Sequence, residues 1–290
     1  MHCFRKILFP VDFSSRCIDT SPFVAAIARK FESEVVLLHV FDNYRVLPYF
    51  ARSAAVAYEA YEDLIWQRRA AELDSFGRYE FDSLKVTRVV ETGDPADVIT
   101  EYVEKHEQDL IVMPTHGDNK LRRLLLGSVT SKVLHDTRCP VWTSAHAETL
   151  PAAASHDVRT IVCAVDLYSS TVRVIQAASD VAGKYGAVVQ LVHAIQAPEA
   201  KPGSDADTGF KRFLFEIATE QLATQQKEAG TNHQACFETG SVSAVVRQAV
   251  LNSAAQLVVI GRGRLRAFLG RLRTNVGAII RDSPCPVLSV

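Results

Sequence analysis

The feature that most constrains this chain is that it repeats itself. Ile-Leu-Phe-Pro-Val-Asp at 7–12 matches Ile-Val-Cys-Ala-Val-Asp at 161–166, and Val-Leu-Leu-His-Val at 36–40 matches Gln-Leu-Val-His-Ala at 190–194, both at an offset of 154. Glu-Thr-Gly at 91–93 returns at 238–240, and Asp-Leu-Ile-Val-Met at 109–113 matches Gln-Leu-Val-Val-Ile at 256–260, both at an offset of 147. Cys-Pro-Val at 139–141 returns at 285–287, at an offset of 146. Five blocks in one order, with a slowly drifting offset, define two tandem copies of one domain. The copies are placed at 1–147 and 157–290, joined by a small, polar, proline-interrupted linker over 147–157. In a chain of 290 residues each copy is long enough to bury its own core.

Within each copy short apolar runs alternate with helical patterns. The runs at 6–11, 34–40, 85–90, 109–113 and 140–143 read as buried strands, with helices over 19–31, about 52–78, 95–107 and 127–136. The second copy repeats the order: strands at 160–165, 187–194, 234–238, 256–260 and 286–290, and helices near 170–185, 209–229, 241–253 and 273–282. Such alternation builds βαβ units, so the expected fold is α/β, with two tandem doubly wound, Rossmann-like parallel sheets.

Several functions are disfavoured. The 32 basic and 33 acidic side chains argue against a general polyanion binder, and no aromatic stacking platform is visible for nucleic acid. No apolar run approaches the roughly 18–20 residues that span a bilayer, so no membrane role is expected. The first residues break at Pro10 and Asp12 and make a poor signal peptide. Six cysteines with no CxxC spacing suggest neither a zinc cage nor a disulfide framework, which points to a reducing cytoplasm. No histidine pair has metal-ligand spacing. There is no GxxxxGK[ST] loop, no GxGxxG after the first strand and no GxSxG elbow.

In an open parallel sheet, ligands bind beyond the carboxyl ends of the strands, where the strand order reverses. Asp12 stands just past the first strand and Asp166 occupies the equivalent place. Either carboxylate suits a ligand contact or a helix cap, for which Ser14 and Ser15 compete. After Asp-Leu-Ile-Val-Met comes Pro114-Thr115-His116-Gly117, then nine residues, then Gly127-Ser128-Val129-Thr130. Glycine lets backbone approach a ligand closely, and a helix start offers free N–H groups and a favourable dipole to phosphate. A serine N-cap after a turn is the competing reading. His39 and His193 end matched strands and read as satisfied core or loop residues rather than ligands. Cys139 and Cys285 read as packing.

These residues resemble the universal stress protein family in its tandem form. The most specific stretch is Met-Pro-Thr-His-Gly, nine residues, Gly-Ser-Val-Thr-Ser-Lys-Val-Leu and then Cys-Pro-Val-Trp, over 113–142. Nucleotide-binding members carry Gly-x2-Gly-x9-Gly-Ser/Thr here; Gly117, Gly127 and Ser128 match, while Pro114 replaces the first glycine. The resemblance implies ATP or a related adenine nucleotide, with or without Mg2+. It would be held by Pro10, Val11, Asp12, Val40, Met113, Pro114, His116, Gly117, Gly127, Ser128, Val129 and Thr130. Asp12, Val40 and Met113 would line the base and ribose; Gly117, Gly127 and Ser128 would meet ribose and phosphates.

The second copy departs further. Gly261-Arg262-Gly263, nine residues, then Arg273-Thr274 puts arginine where Gly127 stands. Its nucleotide site is expected to be degenerate. The alternative is a second anion site formed by Asp166, Gly261, Gly263, Arg273 and Thr274, within a loop carrying five arginines over 262–273. The resemblance also implies that the two domains pair as a pseudo-dimer through their last strands, with a homodimer beyond that, and a stress-response or regulatory role. Nothing supplies an obvious water-activating group, so hydrolysis is expected to be slow or absent. The competing class is an interaction module that acts through protein partners without nucleotide; Pro114 speaks for it.

Overall fold

A computed structural model describes residues 4–41, 55–115, 126–144, 157–196, 205–262 and 274–290, with 55–62, 205–208 and 274 described in backbone only. The chain divides into two compact units, Cys3–Ala152 and Ala153–Val290.

The first unit runs β1 (Lys6–Pro10), α1 (Ser15–Phe31), β2 (Glu34–Phe41), α2 (Ala55–Ser75), β3 (Val86–Thr92), α3 (Pro95–His106), β4 (Leu110–Pro114), α4 (Ser128–Asp136) and β5 (Val141–Ser144). Its strands lie in the order β3-β2-β1-β4-β5, and every pairing is parallel. The chain therefore leaves β1 in one direction and returns on its other side at β4. That reversal between β1 and β4 is the expected ligand position. The second unit runs β6 (Thr160–Ala164), α5 (Thr171–Tyr185), β7 (Val188–Ile195), α6 (Asp205–Ala229), β8 (Gln234–Thr239), α7 (Val242–Ser253), β9 (Leu257–Ile260), α8 (Thr274–Asp282) and β10 (Val287–Ser289). Its order, β8-β7-β6-β9-β10, is the same topology, with parallel pairings from β8 through β10. The expectation of tandem Rossmann-like α/β domains holds.

The reasons are local. Central strands are apolar on both faces: Ile7, Leu8 and Phe9 of β1 and Leu110 to Met113 of β4 are buried, as helices on both sides of a parallel sheet require. The edge strand β3 is only half-buried and carries Thr87, Arg88 and Glu91. The residue before β4 fastens it to β1, and the residue before β9 fastens it to β6. Asp109 Oδ2 accepts the N–H groups of Arg5 and Lys6, each at 2.9 Å, and Gln256 Oε1 accepts those of Arg159 and Thr160, each at 2.9 Å.

Helix α1 starts at Ser15, four residues before the periodicity suggests, because Ser14 caps it by accepting the Cys17 N–H. Pro22 inside α1 removes the donor that would serve the Ile18 carbonyl, and the Ser21 hydroxyl donates there instead at 2.8 Å. At α3, Asp94 accepts the N–H groups of Ala96 and Asp97, with Pro95 in the first turn.

Candidate functional site

The site is built where β1 and β4 end. After β1 the chain makes a tight turn. The Val11 N–H donates to the Leu38 carbonyl at 2.8 Å, and Asp12 Oδ1 accepts the Ser14 N–H at 3.0 Å. Phe13, between them, takes a left-handed φ of 60°, a conformation that costs a side-chain-bearing residue roughly 1–2 kcal/mol. The second unit repeats this turn residue for residue: the Val165 N–H donates to Val192, Asp166 Oδ1 accepts the Tyr168 N–H at 3.0 Å, and Leu167 has φ 63°. Asp12 and Asp166 are both exposed and both shape their own turn. Capping falls to Ser14 in the first unit, and the Asp12 carboxylate also meets the buried Cys17 thiol, whose pKa it helps burial to raise. In the second unit Asp166 Oδ1 also takes the Thr171 hydroxyl at 3.1 Å.

The strand-end histidines hold these turns. His39 Nδ1 lies 2.7 Å from the Val11 carbonyl and His193 Nδ1 lies 2.8 Å from the Val165 carbonyl. A carbonyl only accepts, so Nδ1 carries the proton in both rings. His39 is 6% exposed and its Nε2 meets no polar partner among the described residues. Burial is the largest influence on it and depresses its pKa, with the Arg69 charge acting in the same direction. Both histidines thus serve their turns through Nδ1, but His39 is buried with Nε2 unsatisfied and His193 is only half-buried, so the reading as satisfied residues holds for one ring nitrogen of each.

Beside β1, strand β4 ends at Pro114, which pairs in register with Ser144 of β5. Met113 is buried and Pro114 is half-buried. Two hydrogen bonds then bring the start of α4 back to this point. The Gly127 N–H donates to the Thr115 carbonyl at 2.8 Å, and the buried Thr130 hydroxyl donates to the Pro114 carbonyl at 3.1 Å. Thr130 thus latches the helix to the strand. Gly127 is the N-cap of α4, with φ −58° and ψ 147° and no side-chain cap, and its carbonyl accepts the Ser131 N–H. The N–H groups of Ser128, Val129 and Thr130 therefore open the helix without a capping side chain, beside the carboxyl end of β4. Ser128 is exposed and Val129 half-buried. Lys132 of α4 reaches Asp94 and Asp97 of α3 and ties the two helices together on the surface.

Pro10, Val11, Val40, Asp12, Met113, Pro114, Gly127, Ser128, Val129 and Thr130 thus all belong to the carboxyl ends of β1, β2 and β4 or to the start of α4. His116 and Gly117 lie outside the described residues. In the second unit Gly261 has a packing reason: a Cβ there would come within 2.8 Å of Val174 Cγ2 on α5. Arg262 is buried, and its N–H donates to the Val290 carbonyl at 3.0 Å. Thr274 starts α8; its side chain, Gly263, Arg273 and the arginine loop beyond Arg262 lie outside the described residues, as does most of the linker.

Sequence reasoning passed over the residues on α2 and α6 that reach these turns. In the first unit Phe13 meets Phe76 and Arg69; in the second, Gln221 and Gln225 donate to the Leu167 carbonyl at 2.7 and 2.9 Å. Nothing in local spacing marks them, since each acts on a residue more than fifty positions away.

A parallel α/β unit whose strand order reverses beside an Asp-bearing turn, present twice in one chain, defines a tandem Rossmann-like α/β protein. The sequence profile of the universal stress protein family matches residues 4–144 and again 157–290, and the chain belongs to that family. It is similar to a universal stress protein of Methanocaldococcus jannaschii, at 32% identity over 139 residues, covering 48% of this chain and 80% of that one. A universal stress protein of Archaeoglobus fulgidus shares the fold over 100% of this chain and 97% of its own, with a TM-score of 0.65 at 20% identity. A Pseudomonas aeruginosa protein described as functionally unknown does so over 100% and 93%, with a TM-score of 0.66 at 19% identity. Among the described residues, no helix is long and apolar enough to cross a membrane.

Proposed function

We propose that the first unit binds ATP or a related adenine nucleotide and that the chain uses it as a regulatory ligand rather than as a fuel. The observation that supports this best is the α4 N-terminus. Three N–H groups open at Gly127-Ser128-Val129-Thr130, held against the end of β4 by the Thr115 and Pro114 carbonyls. A helix start with no capping side chain favours an anion. Asp12, just past the end of the adjacent strand, would offer its exposed carboxylate to a ribose hydroxyl, and Val40 and Met113 supply apolar surface for a base.

Phosphate oxygens would accept from the α4 N–H groups and the Ser128 hydroxyl. Mg2+ would be carried on the nucleotide: no cluster of three or more His, Cys, Asp or Glu side chains stands ready for a metal among the described residues. Hydrolysis stays slow, because the one buried histidine near the site among the described residues, His39, spends its proton on the Val11 carbonyl and is walled by Phe13. The second unit is a degenerate, regulatory copy. Its Gly261 serves helix packing, and its Asp166 is doubly engaged within its own turn.

One observation favours an interaction module without nucleotide: Pro114 offers no N–H at the strand end. Native mass spectrometry of the purified full chain decides between them. A bound adenine nucleotide, one per chain, is expected; a chain that carries none and takes up none from millimolar ATP overturns the reading.

A further inference from the structure

The two units hold the same left-handed turn by different means, and a residue on α2 carries the difference. In the first unit the Phe13 ring is boxed by three neighbours. The His39 ring lies 4.6 Å away between centroids and the Phe76 ring stands edge-on at 6.0 Å. The third is Arg69, whose guanidinium carbon lies 6.0 Å from the Phe13 centroid. Arg69 is itself aimed by Glu72, whose carboxylate accepts from Nη1 at 2.6 Å. Aligning α2 with α6 through their fully buried leucines, Leu73 and Leu222, sets Ala218 opposite Arg69, Gln221 opposite Glu72 and Gln225 opposite Phe76. There the turn residue is Leu167, and the two glutamines grip its carbonyl.

The second unit thus fixes its turn by hydrogen bonds to the backbone, whereas the first fixes it through the turn side chain, under a cation. The consequence falls on Asp12. It directly precedes Phe13, and its Oδ1 accepts the Ser14 N–H across that residue. Any rotation of Phe13 out of its left-handed conformation breaks this bond and swings the carboxylate. The clamp on the Phe13 ring therefore sets where the exposed Asp12 carboxylate points.

We propose that Arg69 is a positioning residue of the first unit's site: by holding the Phe13 ring it fixes the turn that presents the Asp12 carboxylate to a nucleotide ribose. This rests on the nucleotide reading above, but the clamp can be measured without ligand.

The test uses the full chain and two readouts. The first is amide hydrogen exchange at Ser14, whose N–H reports the Asp12 contact, with Ile111 and Val112 of β4 as controls. The second is ATP affinity by calorimetry. A cation–aromatic contact at a half-exposed site is worth a factor of about five. Arg69→Ala is expected to speed Ser14 exchange about fivefold, to leave the β4 amides unchanged and to weaken ATP by a similar factor. Arg69→Lys keeps a cation for the ring and is expected to restore both. Glu72→Gln, which releases Arg69, is expected to fall between. Unchanged Ser14 exchange in Arg69→Ala overturns the clamp whatever ATP does. Faster exchange with undiminished affinity overturns its link to the site. Equal acceleration at Ile111 and Val112 overturns positioning in favour of general loosening. A wild-type chain that binds no ATP refutes the nucleotide reading instead, and is identified before any variant is compared.

Discussion

The latch between α4 and β4 gives the sharpest perturbation of the site. Thr130 is 4% exposed, and its hydroxyl donates to the Pro114 carbonyl at 3.1 Å. Thr130→Val keeps the shape, the β-branching and the burial, and removes only the donor. The lost hydrogen bond is worth about 1 kcal/mol net, and a carbonyl left without a donor raises the cost toward 2 kcal/mol where water cannot reach it. Pro114 is half-buried, so water meets part of that need, and the lower figure applies. For a unit of this size 1 kcal/mol lowers the melting temperature by roughly 3–5 °C. The effect on ligand should exceed the effect on stability, because the latch aims the three N–H groups of Ser128 to Thr130. The assay pairs thermal unfolding of the full chain with ATP titration, for wild type, Thr130→Val and Thr130→Ser. Thr130→Ser retains the hydroxyl and is expected to behave nearly as wild type in affinity. Thr130→Val with wild-type stability and wild-type affinity would refute the reasoning.

Two further outcomes test other parts of the account. Gly261→Ala places a Cβ against Val174 and is expected to destabilise the second unit by about 1–3 kcal/mol, as overpacking does. Adding Val174→Ala should recover part of that loss, and chemical denaturation of both variants shows whether packing accounts for the glycine. His39 titrates below its ordinary value in the folded chain because burial opposes its charge. Its contribution to stability is therefore present above about pH 6.5 and is lost as pH falls below that value, when the unfolded chain takes up the proton first. Unfolding midpoints measured between pH 7.5 and 5 should fall less steeply in His39→Asn, whose amide can still donate to Val11. A parallel fall in both proteins would rule out His39 as a source of the slope. His233, also depressed by burial, adds a slope of the same sign, and His233→Asn measures its share separately.

Much of this was legible in the sequence, and what was not has a common cause. The repeated Val-Asp blocks and the matched blocks around His39 and His193 mark β1 and β2 in the first copy and β6 and β7 in the second, and their spacing yields the element order and the parallel sheets. The Gly127-Ser128 pair marks a helix start because that signal is local. The turn conformation is not local: phenylalanine and leucine rarely take positive φ, and Phe13 and Leu167 do so because His39, Phe76 and Gln225 bind them from distant elements. Gly261 looks like a phosphate-approach glycine in sequence, yet its neighbour is Val174, nearly ninety positions earlier. The start of α1 was hidden by two adjacent serines, either of which could cap it; the Cys17 N–H chose Ser14.

The central claim is that one adenine nucleotide binds at the α4 start of the first unit. Calorimetric titration of ATP into the full chain, in wild type and in Gly127→Val, tests it most directly. The account predicts one site per chain in wild type and none in a Gly127→Val protein that still unfolds cooperatively, since a branched Cβ at the N-cap blocks close approach of phosphate to the helix backbone. Undiminished binding in folded Gly127→Val, or two equivalent sites in wild type, would contradict it.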